Sequence, residues 1–350
     1  MTSYQIVEWG APLAENHYET PEPTGTEVLL RVTSCGVCHS DLHIRAGYFD
    51  MGHGNQRRLE NVGVKLPLTL GHEPVGEVAA LGPDATGVSV GDKRVCWPWV
   101  GCRSCAACGR EEDIFCEAGR YLGARVDGGY SDYMLVPHPR YLLPYDGVEE
   151  AAAATYACAG ITAYAALKRA VGGLTRDDTL LLVGAGGLGT SGLRVVPAMT
   201  EARVVVADTD PAKRELAERL GAAQTIDNGD PDAAARLKEQ TGGVAASVDY
   251  VGMPQTTLFA IDTLRRGCTH VVVGLYGGAL DMPMPNLIYK LLNLRGSHVG
   301  TPQDLAELLE LRRAGRIEPP PIAERPLSEV NDVLAELTEG KIEGRIVLRP

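Results

Sequence analysis

Four cysteines, Cys102, Cys105, Cys108 and Cys116, fall in one short stretch with gaps of two, two and seven residues. Each two-residue gap lets the backbone fold back so that neighbouring sulfurs converge. Four thiolates then close the tetrahedron of a structural zinc site with no open position. A closed site does no chemistry. It holds a loop with too little apolar content to hold itself, metal affinity acting as folding energy. Two disulfides and an iron–sulfur cluster are the alternatives, the second at odds with a last gap longer than that of the compact ferredoxin run. A second set is scattered: Cys38 in GVCHSDLH (36–43), His72 in GHE (71–73) and Cys158 in YACAGIT (156–162). Two thiolates and an imidazole bind zinc and leave a fourth position for water or substrate. Taken singly, each of these residues also fits a buried filler or a satisfied polar side chain.

The third group is GAGGLG, with Gly184, Gly186, Gly187, Leu188 and Gly189. It follows an apolar strand at 179–183 and opens a helix reaching about Pro197. Gly184 suits the tight turn, Gly186 the close approach of a pyrophosphate, and Gly189 the packing of helix on strand. The helix N-terminus offers unpaired N–H groups to phosphates. Asp208 ends the next strand about 20 residues on, where a carboxylate accepts both ribose hydroxyls of NAD and repels the 2'-phosphate of NADP. A glycine-rich turn without ligand is the plain alternative. A Lewis acid beside a nicotinamide is a means of oxidising alcohols.

The elements that must position these residues come in two styles. From about 25 to 150 the chain has short β-rich runs, such as 27–33 and 76–81, broken by Gly, Pro and Asp, which reads as a mostly β domain. From Ala151 onward, apolar strands at 179–183, 204–208, 246–251 and 269–275 alternate with helices at 211–220 and 254–266, the pattern of a parallel sheet covered on both faces. Pro211 is expected to open a helix, and Gly221 and Gly267 to follow helix ends. Further helices are expected to open at Thr301 with Asp304 and at Ser328 with Asn331, before a strand at 345–348. The segment Asp50–Asn61, polar and without period, reads as a loop.

At 350 residues the chain fits two domains. A net charge of −12 argues against a nucleic-acid partner. No apolar stretch approaches the roughly 20 residues that span a bilayer, and no export segment is evident, so a cytoplasmic protein without membrane contact is expected. The nine cysteines suit a reducing compartment. Cys35, Cys96 and Cys268 are expected as small core residues.

In their order, GVCHSDLH, GHE, the four-cysteine lobe, Cys158 and GAGGLG resemble the zinc-dependent medium-chain alcohol dehydrogenases over nearly the whole chain. The resemblance implies a GroES-like, mostly β catalytic domain over 1–151, completed by 289–350. It also implies a Rossmann coenzyme domain with a doubly wound parallel sheet over 152–288, the active site lying between the two. It assigns Cys38, His72 and Cys158, with Glu73 as a carboxylate approaching the metal, to a catalytic zinc. Asp41 would orient His72. Ser40 would take the alcohol proton, which leaves by way of the coenzyme ribose and His43. His39, Lys213 and Arg345 match positions contacting the pyrophosphate or adenosine ribose, and Thr162 one beside the nicotinamide. Phe49 and Trp97 match substrate-pocket positions, which favours medium-sized apolar or aromatic alcohols, with the 50–61 segment starting at their edge. The implied partners are an alcohol, or an aldehyde or ketone in reverse, and further copies of the chain as a homo-dimer or homo-tetramer. The rivals are a polyol or threonine dehydrogenase of the same superfamily, which needs polar pocket residues, and a non-enzymatic dinucleotide sensor, which has no use for the metal ligands.

Overall fold

Alternation of buried and exposed side chains shapes the first sheet. Along Val28–Gly36, Val28, Leu30 and Val32 are buried while Arg31 faces water, the period-two pattern of a half-buried strand. This strand pairs antiparallel with Pro74–Leu81, Tyr133–Val136 and Arg345–Arg349. The sheet continues through Lys93–Cys96 and Leu142–Pro144 on one side and Ile322–Pro326 on the other. The chain therefore returns at its end to the sheet it began. The computed structural model describes residues 1–350.

The second sheet is parallel throughout, in the order Gln224–Ile226, Arg203–Ala207, Thr179–Val183, Val244–Asp249, Leu264–Val272, Asn293–Gly296. Its inner strands Thr179–Val183, Arg203–Ala207 and Val244–Asp249 are almost wholly buried, because both faces of the sheet are covered there. Leu180 and Leu182 join the large core with Leu167 and Leu193, whereas Leu181 and Val183 join a smaller core with Ala260 and Ile261. Strand order reverses beside Thr179–Val183, and the crevice beyond the carboxyl end of that strand is where such sheets bind ligands. No helix is long and apolar enough to cross a membrane.

Several expectations change. Residues 50–61 contain a β-hairpin, Tyr48–Gly52 paired with Asn55–Arg58. Its turn runs through Gly52, His53 and Gly54, with φ of 79°, 52° and 77°, backbone that glycine adopts without strain. Only Gly52 is buried and Phe49 partly so, too little for a periodicity to betray it in sequence. The helix begun at Pro254 stops at Thr263, and the strand follows directly, so that Gly267 lies inside a strand instead of capping a helix. Cys35 and Cys96 are fully buried, but Cys268, on the solvent-facing part of that strand, is only partly so. Thr301 caps its helix with Asp304. Ser328 caps nothing: a 3₁₀ turn, Leu327–Glu329, leads straight into helix Val330–Thr338. Strand Asn293–Gly296 extends the parallel sheet past residue 288.

Candidate functional site

Cys38 is delivered by the end of a strand and the start of a helix. The strand closes at Gly36, and Cys38 is the last extended residue before helix His39–Ala46. Gly36 must be glycine, since a Cβ there would run into the Glu73 carboxylate. Gly71, at φ 93°, is hemmed in by Tyr130 and Cys35 in the same way. Cys158 comes from the other side of the cleft, on a wider π-type turn, Tyr156–Gly160, between helices Glu150–Thr155 and Ile161–Ala170. Such turns interrupt α-helices mostly at functional sites.

Packing brings Cys38, His72, Glu73 and Cys158 together, one potential ligand atom from each lying within 4.8 Å of the others, all four buried. The Cys38 and Cys158 sulfurs are 3.9 Å apart. Two sulfurs on one tetrahedral zinc, with bonds of roughly 2.3 Å, lie about 3.8 Å apart. His72 Nδ1 lies 2.9 Å from Asp41 Oδ1, and neither buried ring nitrogen has a hydrogen-bond partner of good geometry in the protein. A buried ring nitrogen left open toward two thiols fits a metal ion. The hydrogen bond from Cys158 holds the Cys38 thiol well below the usual range against the effect of burial, with His72 adding to it. The same bond, then burial, pushes Cys158 up.

Asp41, fully buried, organises this cluster. Besides its contact with His72 it accepts from the Tyr130 hydroxyl at 2.7 Å and the Cys38 backbone N–H at 3.0 Å. Behind it, Arg345 Nη2 donates to both Glu73 oxygens at 2.6 Å and to the Val37 carbonyl at 2.8 Å. Burial pushes Glu73 up to about 7 despite the pull of Arg345. Arg345 Nε is buried without a partner, and the side chain lies against Gly187.

These groups open into a cleft of about 390 Å³ that reaches the glycine-rich turn. His39, Ser40, His43, Thr162, Lys213 and Arg345 line it, as do Gly184, Gly186, Gly187, Leu188, Gly189 and Asp208. Gly184 turns at φ 90°, a Cβ on Gly189 would strike the Gly184 carbonyl, and the space above Gly186 is clear. Asp208 accepts from Ala185 N at 2.8 Å and Asp210 N at 2.9 Å, which ties the turn to the end of the next strand. Thr162 Oγ1 is buried and unpartnered. A crevice with a clear glycine floor, a carboxylate at one end and unpaired polar atoms at the other fits a dinucleotide.

The expected pocket aromatics are corrected. Trp97 is fully buried, stacks on Tyr141 with centroids 5.9 Å apart, and donates its indole N–H to the Gly300 carbonyl. Trp99 lines the cleft instead, 5.6 Å from the His72 ring, with Tyr121 and His298 against it. Phe49 packs on His43 at 5.4 Å and does not line the cleft. Trp99, His298 and Tyr130 went unread in the sequence. The two tryptophans of WPW look alike locally, and only the partners Tyr141 and His72 tell them apart.

The other cysteines form the lobe that their spacing implies. Sulfur separations are 3.5 Å for Cys105–Cys108, 3.8 Å for Cys105–Cys116 and 4.0 Å for Cys102–Cys108, too long for disulfides and right for one tetrahedral ion. Asp113 fastens the lobe to the sheet, accepting from Gly101 N, Arg140 and the Tyr141 hydroxyl.

Residues 24–146 match the model of the alcohol dehydrogenase GroES-like domain, and residues 187–313 that of zinc-binding dehydrogenases. Over the whole of both chains, the sequence is 36% identical to an NAD-dependent alcohol dehydrogenase of Saccharolobus solfataricus. It is 35% identical to an alcohol dehydrogenase of Geobacillus stearothermophilus, covering 100% of this chain and 99% of the relative. The crystal structure of the alcohol dehydrogenase from Aeropyrum pernix superposes with a TM-score of 0.89 at 34% identity, covering 100% of both chains.

Proposed function

Since the chain belongs to the zinc-dependent medium-chain alcohol dehydrogenases, NAD-dependent enzymes that oxidise alcohols, we propose that it acts on medium-sized apolar or aromatic alcohols and needs its cleft zinc to do so. The observation that carries this reading is the Trp99 ring set against His72 in the wall of the cleft. The face of that indole offers a polyol's hydroxyls no acceptor, the one polar group of the ring being its buried, unpartnered Nε1–H.

Cys38, His72 and Cys158 would hold the catalytic zinc, with Glu73 behind them, and Cys102, Cys105, Cys108 and Cys116 would hold the structural one. A zinc held there would lower the affinity of the alcohol for its proton, and bound NAD would supply the hydride acceptor. Ser40 accepts the alcohol proton at Oγ. His43, whose pKa burial lowers, is neutral at pH 7 and able to carry a proton toward solvent. Asp208 receives the adenosine ribose, while His39, Lys213 and the free Nε of Arg345 face the coenzyme phosphates. Thr162 offers its unpaired hydroxyl to the nicotinamide end.

In this reading the catalytic domain spans 1–151 and is completed by the C-terminal residues. The coenzyme domain runs from 152 through strand Asn293–Gly296. That edge strand, with the exposed Met284, Ile288, Tyr289, Leu291 and Leu294 around it, joins copies into a homo-dimer or homo-tetramer, which light scattering measures. The cytoplasm suits nine cysteines without a disulfide, six of them read as zinc ligands, because a reducing compartment keeps thiols from pairing.

Metal analysis is expected to find two zinc ions per chain. Cys38→Ser should abolish turnover in a folded protein that still binds NAD, whereas Cys105→Ser should lower the unfolding temperature. Equal losses of activity and stability from both changes would contradict this division of labour. A panel of aliphatic, cyclic and benzylic alcohols with NAD then tests the substrate class, and preference for polyols would overturn it.

A further inference from the structure

Behind the substrate wall lies a second hollow of about 440 Å³, bordered by the hairpin on one side and the chain just after Cys116 on the other. Arg57, Arg120 and Arg125 line it. In a protein with 45 acidic and 33 basic residues, many arginines elsewhere find acids, as Arg140 does Asp113, Arg312 Glu149 and Arg325 Glu336, and here three arginines without one line the same hollow. These three form no ion pair. Arg125 donates one bond, to the Gly119 carbonyl. Glu117 also lines the hollow but comes within ion-pair distance of none of them. Three like charges brought to one concavity repel unless a counter-charge joins them, and a guanidinium fork matches the paired oxygens of phosphate and carboxylate.

We infer that this hollow binds a small oxyanion, a phosphate or carboxylate group, at a site separate from the coenzyme phosphates. Its link to the cleft is short. The Arg125 guanidinium sits 4.9 Å over the Tyr121 ring, and Tyr121 meets Trp99, which lines the cleft, edge-on at 5.4 Å. An anion drawing Arg125 off Tyr121 would free the ring that backs the substrate wall. The group could be free in solution or carried on the far end of an alcohol, the chemistry of the site being the same.

The test is thermal unfolding of the zinc- and NAD-loaded enzyme, so that the coenzyme fills its own phosphate cradle, titrated with inorganic phosphate at constant ionic strength balanced by sodium chloride. A saturable rise in Tm is expected, because a ligand bound by the folded state alone stabilises it. That rise should vanish in the double variant Arg57→Gln/Arg120→Gln, whose exposed side chains leave ethanol turnover unchanged. No saturable rise, or the same rise in the double variant, overturns the inference. The readout needs no turnover, so it stands or falls apart from the proposed substrate class. A second arm compares kcat/KM for an ω-hydroxy acid and the uncharged alcohol of equal length. If the acid's advantage is lost in the double variant, the anion belongs to substrate. An unchanged ratio, with phosphate binding present in the wild type and lost in the double variant, assigns the site to a free anion.

Discussion

At the scale of single residues, Asp41 joins three elements by three contacts, to His72, Tyr130 and the Cys38 backbone. Its substitution should therefore act through the metal. Asp41→Asn keeps the shape but loses the charge that fixes the His72 tautomer. Affinity for the catalytic zinc should fall by roughly 10- to 100-fold, read as earlier loss of activity in a chelator titration. Tyr130→Phe, removing one bond to Asp41, should fall between the variant and wild type. Unchanged zinc affinity in Asp41→Asn would leave Asp41 without this role. The two tryptophans should separate as sharply. Trp97→Ala opens a hole in a packed core and should cost about 3–5 kcal/mol of stability. Trp99→Ala should instead shift the ratio of kcat/KM between benzyl alcohol and ethanol, by roughly 1–3 kcal/mol per methylene accommodated, with a smaller change in stability. Matching effects on stability and selectivity from the two would return the pocket wall to Trp97.

At the scale of elements, the hairpin is the feature with most reach. Its tip packs on the loop after the fifth parallel strand, Gly52 against Ala279 and Gly277 against Asp50, so closely that a Cβ on either glycine would collide. The same loop supplies Leu275 and Tyr276 to the cleft. Gly52→Val brings both a clash and a side chain at φ 79°, and should lift the hairpin from the loop. The benzyl alcohol to ethanol ratio should then fall as the rim of the cleft loosens, with the unfolding temperature little changed because the hairpin buries little. A folded Gly52→Val enzyme with the wild-type ratio would assign the hairpin to the surface alone.

For the whole molecule, stability toward acid has an identifiable contributor far from the cleft. His270 is fully buried between two parallel strands, its Nδ1 2.7 Å from Ser247 Oγ. Burial lowers its pKa to about 4, with Asp249 pulling the other way. The unfolded histidine titrates near 6.5. Between these values the unfolded chain binds a proton that the folded chain refuses, so stability is complete above about pH 6.5 and declines as pH falls toward 4, by no more than about 3 kcal/mol. Urea unfolding at pH 7.5 and pH 5 should show a larger loss in wild type than in His270→Gln. Equal losses in both proteins would remove His270 from the account.

What could be read along the chain was whatever depends on neighbours in sequence. Cys102 to Cys116 converge because of short gaps, and the turn from Gly184 to Gly189 follows from a strand running into a helix. Thr301 finds Asp304 three residues on, and the inner parallel strands are largely apolar because both faces of their sheet are covered. Asp208 follows from its place at the end of the next strand, and the resemblance carried this further, to the roles of Cys38, His72 and Cys158. Packing alone decided the rest. Trp97 and Trp99 exchange roles because Tyr141 and Gly300 receive one and His72 the other, partners that lie at quite different points of the chain. The hairpin buries too little to print a period on its residues, and Tyr130 reaches Asp41 only because the sheet brings them together. Local spacing fixes which atoms can meet a ligand, but the direction a side chain faces depends on what fills the space on its other side, and that is a property of the folded whole.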